Sequence, residues 1–391
     1  MEVTDIQYKE SEIGVIPIDW EVKPLEELCR KKGLVRGPFG GALKKEFFVR
    51  DGIKVYEQQN AIYRDFSLGD YFIDLKKFEE LSRFEVKPND FIVSCSGTIG
   101  RIFMIPINAP KGIINQALLK ITIDESIVKK QFFLHYFEWD EFQLKIIDST
   151  QGGAMKNLVG MAIFRDTKFA VPSKSEQTAI ATALSDTDAL IENLEKLIAK
   201  KRNIKQGVMQ ELLKPESNWI LTSVGEVATI RKGEQLNKDT LTAQGQYPVM
   251  NGGIQPSGYT DKWNQNPNTI IISEGGNSCG YVNFIKTRFW QGGHCYSVDA
   301  KIHKHFLYHL LKFHEKEIMG LRVGSGLPNI QRNRLIEFSL SIPDREKQHA
   351  IALVLDEINE VITAMENKLQ KYKMVKQGMM QALLTGKIRL A

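Results

Sequence analysis

Cysteine is scarce in this chain, with four residues in 391 at positions 29, 95, 279 and 295. They are too few and too scattered for the disulfide framework of a small secreted domain, and reduced thiols are expected. No run of about 18 apolar residues is present, so no membrane-spanning helix is expected. The N-terminus, Met1-Glu2-Val3-Thr4-Asp5, is acidic and polar where a signal peptide is basic and then apolar. The expected location is therefore cytoplasmic. Enzyme signatures are missing as well. The chain has neither a Gly-x4-Gly-Lys-Ser/Thr phosphate loop nor an Asn/Asp-Pro-Pro-aromatic segment of the kind that amino-methyltransferases carry. The only compact Cys/His grouping, His294-Cys295 with Cys279, lacks paired ligand spacing, and no metal is expected there.

With 42% hydrophobic residues, the chain can bury two independent cores of roughly 150 residues each. The formal net charge of +5 permits nucleic-acid binding without demanding it.

The strongest positive signal is an internal repeat. Lys205, Gln206, Gly207, Met209, Gln210, Leu212 and Leu213 recur, 171 positions later, as Lys376, Gln377, Gly378, Met380, Gln381, Leu383 and Leu384. The same offset holds back through Leu184/Leu355, Ile180/Ile351 and Gln177/Gln348 to Pro172/Pro343. Each half also opens alike, with Asp19-Trp20-Glu21-Val22 and Asn218-Trp219-Ile220-Leu221. The order is globule, helix, globule, helix: residues 1–171, 172–214, 215–342 and 343–391. Two similar heads held apart by two similar rods suit gripping one long object at two places.

In the second rod Ile351, Leu355, Ile358, Ile362, Met365, Leu369 and Tyr372 alternate spacings of four and three, the seam of a coiled coil. In the first rod the seam runs through Ile180, Leu184, Thr187, Ile191, Leu194 and Ile198. A seam of about three heptads is marginal alone, so the two rods are expected to pair with each other, in antiparallel fashion. Gly207 and Gly378 each cost about 1 kcal/mol relative to alanine inside a helix; they suggest a close backbone approach or a slight bend. The apolar rod ends, Met209, Leu212, Leu213, Met380, Leu383 and Leu384, are expected to be docking surfaces for a partner subunit.

Each head carries glycine beside basic and amide residues. Head 1 offers Arg36, Lys44 and Lys45 around Gly37-Pro38-Phe39-Gly40, then Gln58, Gln59 and Asn60, then Ser96, Thr98 and Arg101 in a loop after the strand-like Asp90–Val93. Head 2 offers Lys232, Asn237 and Lys238, then Asn251, then Asn277 and Ser278 in a loop after Thr269–Ile272. The loops match in plan and differ in detail. Amides can pair bidentately with adenine and arginine with guanine, while glycine admits close approach to phosphate, so these fifteen residues are candidate DNA contacts.

Taken together, the repeated Lys-Gln-Gly-x-Met-Gln-x-Leu-Leu helices, the Gly37–Gly40 loop, Ser96-Gly97-Thr98-Ile99-Gly100 and the turns before each rod (Gln151–Leu158 and Gly324–Ile330) resemble the DNA specificity subunit of Type I restriction-modification systems. The resemblance covers essentially the whole chain. It implies an α+β fold of two α/β target recognition domains separated by two conserved helices, pairing as an antiparallel coiled coil. Each domain would read half of a split asymmetric site on double-stranded DNA, with the helices setting the gap. It also implies two methyltransferase subunits as partners, with motor-nuclease (restriction) subunits in the full complex. This chain would carry no catalysis and bind no cofactor; S-adenosylmethionine would belong to the methyltransferase. Two departures stand out: Asn277 is inserted relative to Gly97-Thr98, and Lys232-Gly233-Glu234-Gln235 lacks the Pro-Phe of head 1. The competing reading is a stand-alone DNA endonuclease, for which Pro343-Asp344 and Glu366-Asn367-Lys368 could be written as a metal site. Their separation of about 33 Å along one helix argues against it.

Overall fold

The computed structural model describes residues 7–148, 157–324, 326 and 328–390. The chain forms two compact units, Met1–Asn193 with Leu369–Ala391, and Leu194–Lys368. Two helices of 39 residues, Lys174–Leu212 and Arg345–Leu383, contribute a part to each. Chain order suggests head, rod, head, rod; packing instead gives each unit one head, the start of the helix that follows it and the end of the other helix.

Unit 1 contains strands β1 (Glu21–Pro24), β2 (Cys29–Arg36), β3 (Ile53–Tyr56), β4 (Phe91–Ser94), β5 (Ile102–Met104), β6 (Gly112–Ile114), β7 (Leu118–Ile123) and β8 (Lys168–Val171). Its main sheet is antiparallel in the order β5-β4-β7-β2. A second sheet holds the parallel pair β3 and β6, and β1 pairs with β8 as a ribbon. The central strand β4 is buried along its whole length, which explains its uninterrupted apolar reading. Helices α1 (Gln58–Tyr63) and α2 (Lys130–Glu138) complete the head. The aromatics of α2 fill the core: Tyr136 stacks on Phe169 with ring centres 3.8 Å apart, and Phe132, Phe133 and Phe137 are fully buried beside it.

Unit 2 repeats the plan with β9 (Ile220–Ser223), β10 (Ala228–Lys232), β11 (Tyr247–Met250), β12 (Thr269–Ser273), β13 (Val282–Ile285), β14 (Trp290–Gln291), β15 (Cys295–Ala300) and β16 (Ser339–Ile342). Its main sheet runs β13-β12-β15-β10, β11 lies parallel to β14, and β9 pairs with β16. Helix α3 (Lys304–Phe313) stands where α2 stands in unit 1.

The repeated residues anchor helix to head. Asp344 caps the second long helix by accepting from the Lys347 amide at 2.9 Å, and Ser173 does the same for Glu176 at 3.3 Å. Gln177 accepts from the Lys129 amide at 2.7 Å and donates to the Pro172 carbonyl at 2.9 Å. Gln348 repeats this with the His303 amide at 3.2 Å and the Pro343 carbonyl at 2.9 Å. Each buried amide thus stitches a helix start to the start of α2 or α3.

The long helices pair in antiparallel fashion within each unit. In unit 1 Thr187 meets Met379 and Asp188 pairs with Lys376 at 2.6 Å, while Ile180 and Leu184 share a core with Leu383 and Leu384. In unit 2 Arg202 pairs with Glu366 at 2.5 Å, while Met209 and Leu213 share a core with Ile351 and Leu355. Every seam position named from the sequence is buried or half-buried.

Two expectations need correction. The rod ends are not free docking surfaces: Met380, Leu383 and Leu384 are buried in the core of unit 1, Met209 and Leu213 in that of unit 2, and Leu212 is half-buried against the latter. Antiparallel pairing brings each apolar end onto a head of the same chain, where burial of each side chain is worth about 2 kcal/mol. Nor do Gly207 and Gly378 mark a close approach, because a Cβ at either position would meet open space. No helix among the described residues is long and apolar enough to cross a membrane.

Candidate nucleic-acid interface

The loop joining β4 to β5 and the loop joining β12 to β13 share one frame. In unit 1 the Ser94 amide donates to the Arg101 carbonyl and the Gly100 amide to the Ser94 carbonyl, both at 2.9 Å. In unit 2 the Ser273 amide donates to the Tyr281 carbonyl at 3.0 Å and the Gly280 amide to the Ser273 carbonyl at 2.8 Å. Gly100 and Gly280 both hold positive φ, +73° and +89°, a conformation that a side chain would strain. The second loop, Ser273–Tyr281, is one residue longer than Ser94–Arg101. What the frames present differs: Ser96, Thr98 and Arg101 are exposed in one, Asn277 is exposed and Ser278 half-buried in the other.

Two other candidates in unit 1, Gln58 and Arg36, lie beside this loop. Gln58, on α1, lies with its side-chain amide nitrogen 3.7 Å from where a Cβ on Gly97 would sit. Arg36, half-buried at the end of β2, faces the Cys95 thiol, which burial pushes up to about 12 despite the guanidinium. Gly37 lets the following loop hug the sheet, since a Cβ there would sit 1.8 Å from the Asn115 carbonyl oxygen. Beyond it Lys44 and Lys45 are exposed, as is Phe39 at 71%. Gln59 is half-buried and donates to the Glu57 carboxylate at 3.0 Å.

Asn60 is a correction. It is fully buried, its carbonyl accepts from the Glu57 amide at 2.7 Å, and its NH2 donates to the Asp65 and Leu68 carbonyls at 2.8 Å each. Those bonds cap α1 and pin the next loop, leaving nothing to offer a base.

Unit 2 assembles its face differently. Lys232 donates to Glu274 at 2.6 Å, the Tyr296 hydroxyl donates to the same carboxylate at 3.0 Å, and His294 lies 3.9 Å away. Burial, with the Glu274 charge beside it, holds the Tyr296 hydroxyl well above the usual tyrosine range. Lys232 is therefore a paired cation rather than a free one. Glu274 is the organising residue that motif reading missed; its place in the loop after a buried strand was the available signal. The Asn251 carbonyl accepts from the His294 amide at 3.2 Å, so that side chain braces two loops. Asn237 is exposed and accepts weakly from the Asp239 amide at 3.3 Å. The Lys238 side chain lies outside the described residues. The turn before the second long helix joins the face: the Gly276 amide donates to the Pro328 carbonyl and the Ile330 amide to the Glu274 carbonyl. In that turn Ser325 and Leu327 lie outside the described residues, as does 151–156 of its counterpart in unit 1.

The thiols offer little reactivity. Burial raises Cys29 and Cys295 to about 12, and Cys279 and Cys295 donate to the carbonyls of Glu274 and Met250 at 2.9 and 3.1 Å.

Comparison with known proteins agrees with the repeat. The family model for the Type I restriction modification DNA specificity domain matches residues 17–201 and 216–373. The MjaVIII specificity subunit of the Type I restriction enzyme from Methanocaldococcus jannaschii is 24% identical over 423 residues, covering 96% of this chain and 94% of that one. A protein named as a type I specificity subunit of Mycoplasma genitalium is 33% identical over 148 residues, 37% of this chain. That match, and one to a Mycoplasma pneumoniae protein of similar name, span only 38% and 43% of the relatives' lengths. Among solved structures, the S subunit of the M. genitalium Type I restriction-modification system superposes with a TM-score of 0.64 at 17% identity, covering 94% of this chain and 96% of that one. With two matched regions spanning most of its length, two heads of one topology and two repeated helices, this chain belongs to the Type I restriction modification DNA specificity domain family.

Proposed function

We propose that this chain is the DNA-recognition subunit of a Type I restriction-modification complex, each head reading one half of a bipartite asymmetric site on double-stranded DNA and the paired helices setting the spacer. The observation that carries this reading is the shared loop frame presenting different side chains, Ser94–Arg101 against Ser273–Tyr281. One scaffold repeated with two sets of exposed groups suits reading two different half-sites. The chain itself performs no chemistry and binds no cofactor in this reading. S-adenosylmethionine belongs to two methyltransferase subunits, motor-nuclease subunits join the full complex, and the setting is cytoplasmic. The endonuclease alternative is disfavoured because Asp344 is spent as a helix cap and Glu366 is paired with Arg202.

The docking surface for the methyltransferase belongs elsewhere than the buried rod ends. A second set of exposed apolar residues lies on each long helix, Leu190, Leu197 and Ile204 seven apart on the first and Val354 and Val361 seven apart on the second, with Val375 fourteen beyond Val361. Leu190, Leu197 and Ile204 are 51%, 41% and 44% exposed, and Val354, Val361 and Val375 are 42%, 38% and 43% exposed. Leu190 and Val361, like Ile204 and Val375, are repeat equivalents. Apolar residues seven apart lie on one helix face, and a solvent-facing stripe of this kind suits partner helices.

Methylation mapping of DNA from cells carrying this chain and its methyltransferase tests the reading, with a two-part asymmetric motif expected. Four residues inserted after Ile191 lengthen that helix by about 6 Å and turn it roughly 40° beyond a full circle. B-DNA advances about 3.4 Å per base pair, so the spacer should grow by one or two base pairs with both half-sites unchanged. Absence of any motif defeats the recognition reading; an unchanged spacer in a folded, active insertion variant defeats the ruler.

A further inference from the structure

Each unit clamps the start of one long helix to the chain just beyond the end of the other. In unit 1 Glu176, only 2% exposed, accepts from the indole of Trp20 at 3.0 Å and from the Arg389 guanidinium at 2.5 and 2.8 Å. Arg389 also grips both oxygens of Asp19, at 2.9 and 2.7 Å. In unit 2 the repeat equivalent of Glu176 is Lys347. Its ammonium pairs with Glu216 at 2.5 Å and lies 6.0 Å from the ring centre of Trp219. Glu216 lies four residues beyond the first long helix and Arg389 six beyond the second. The polarity is inverted: a carboxylate at the helix start meets a cation in unit 1, and a cation at the helix start meets a carboxylate in unit 2.

Apolar packing does not distinguish the helix ends. Ile180 and Leu184 repeat as Ile351 and Leu355, and Met209, Leu212 and Leu213 repeat as Met380, Leu383 and Leu384. A head could seat its own kind of helix end, supplied by a second copy of the chain, with much the same burial. Charge separates the cases. Glu176 with Arg389 and Lys347 with Glu216 attract, whereas Glu176 with Glu216 and Lys347 with Arg389 repel. The repulsion is severe at Glu176, where burial leaves little water to screen it.

We propose that these inverted clamps are a pairing code: they make each head accept the end of the other long helix and reject like-with-like association between two copies of the chain. The code resides in four side chains, Glu176, Arg389, Lys347 and Glu216, none of which is a candidate DNA contact.

The test uses full-length chain bearing two different tags, mixed in denaturant and refolded together at high concentration. Wild-type chains should refold without the tags co-purifying. The double variant Glu216→Lys with Lys347→Glu keeps the unit 2 pair complementary but gives it the polarity of unit 1, so Glu176 can now meet the ammonium introduced at position 216 of a second copy. Tag exchange should rise by about tenfold or more, with light scattering reporting dimers. A variant that melts like wild type and exchanges no more than wild type overturns the proposal. Should the double variant melt early, Glu216→Gln with Lys347→Gln removes both unit 2 charges and should exchange at an intermediate level. Wild-type behaviour in that neutral variant overturns the proposal equally.

Discussion

Unit 1 and unit 2 seat their helices on the same buried amides, Gln177 and Gln348, yet surround them with opposite charges and different burial. The Glu176 side chain is 2% exposed and its Arg389 partner 20%, against 34% for Lys347 and 56% for Glu216. Similar amides do the positioning in both units, while the ion pairs differ in how much water they keep. What the repeat preserves is the frame; what it changes is whatever must tell one half from the other.

The largest expected effect breaks the comparison at the clamps. Arg389→Met leaves a buried carboxylate without its cation and should lower unfolding free energy by about 3 kcal/mol. Lys347→Met frees a carboxylate that already faces water and should cost less than about 1 kcal/mol. Urea titrations followed by circular dichroism measure both. Equal losses would show that the two clamps sit in equivalent surroundings, contrary to their burial.

A second contrast lies at two buried histidines in matching places. His135 Nε2 meets the Ser185 hydroxyl at 2.9 Å and His309 Nε2 meets the Asp356 carboxylate at 2.8 Å. Ser185 and Asp356 are repeat equivalents. Burial pushes both imidazoles down to about 4, outweighing the nearby Asp188 and Asp356 carboxylates that oppose it. In the unfolded chain a histidine titrates near 6.5. Above that value both states are neutral and nothing is lost; as pH falls from 6.5 toward 4, the unfolded chain takes up protons that the folded chain refuses. Stability should therefore drop between pH 7 and pH 5 by about 2 kcal/mol per histidine. His309→Gln should remove roughly half of that pH dependence, and an unchanged slope would show that His309 is not held neutral.

How far the sequence carried this picture depends on whether a signal was local. The repeat, the long helices, the seam from Ile180 to Ile198 and the extra residue in the second head's loop all follow from periodicity or alignment of one half on the other. Partners are another matter. An apolar helix end such as Leu383-Leu384 reads identically whether it faces its own chain or a stranger, and only antiparallel pairing decides it. Residue type says that Asn60 can form several hydrogen bonds, not that three local groups already take them. Arg389 and Glu176 stand 213 residues apart, so no window of sequence joins them. Likewise Lys232 looks like a free cation until folding brings Glu274 to it. The exposed stripe of Leu190, Leu197 and Ile204 was legible as a heptad spacing, but it competes with a longer and more apolar seam on the same helix.

That pair of stripes allows the sharpest comparison within a single helix, between residues spent on folding and residues left for a partner. Leu184 is fully buried in the core of unit 1, so Leu184→Ala should destabilise the chain by about 3 kcal/mol whether or not a partner is present. Leu190, Leu197 and Ile204 are each more than two-fifths exposed, and replacing all three by Ser should leave the melting temperature nearly unchanged. If the stripe receives a methyltransferase helix, the triple variant should lose affinity for that subunit by about tenfold, equivalent to about 1.4 kcal/mol. Co-purification and calorimetric titration measure it. Leu212→Ser, at a half-buried rod end, should instead shift stability more than binding. A triple variant that binds the methyltransferase like wild type would remove the stripe as the docking surface.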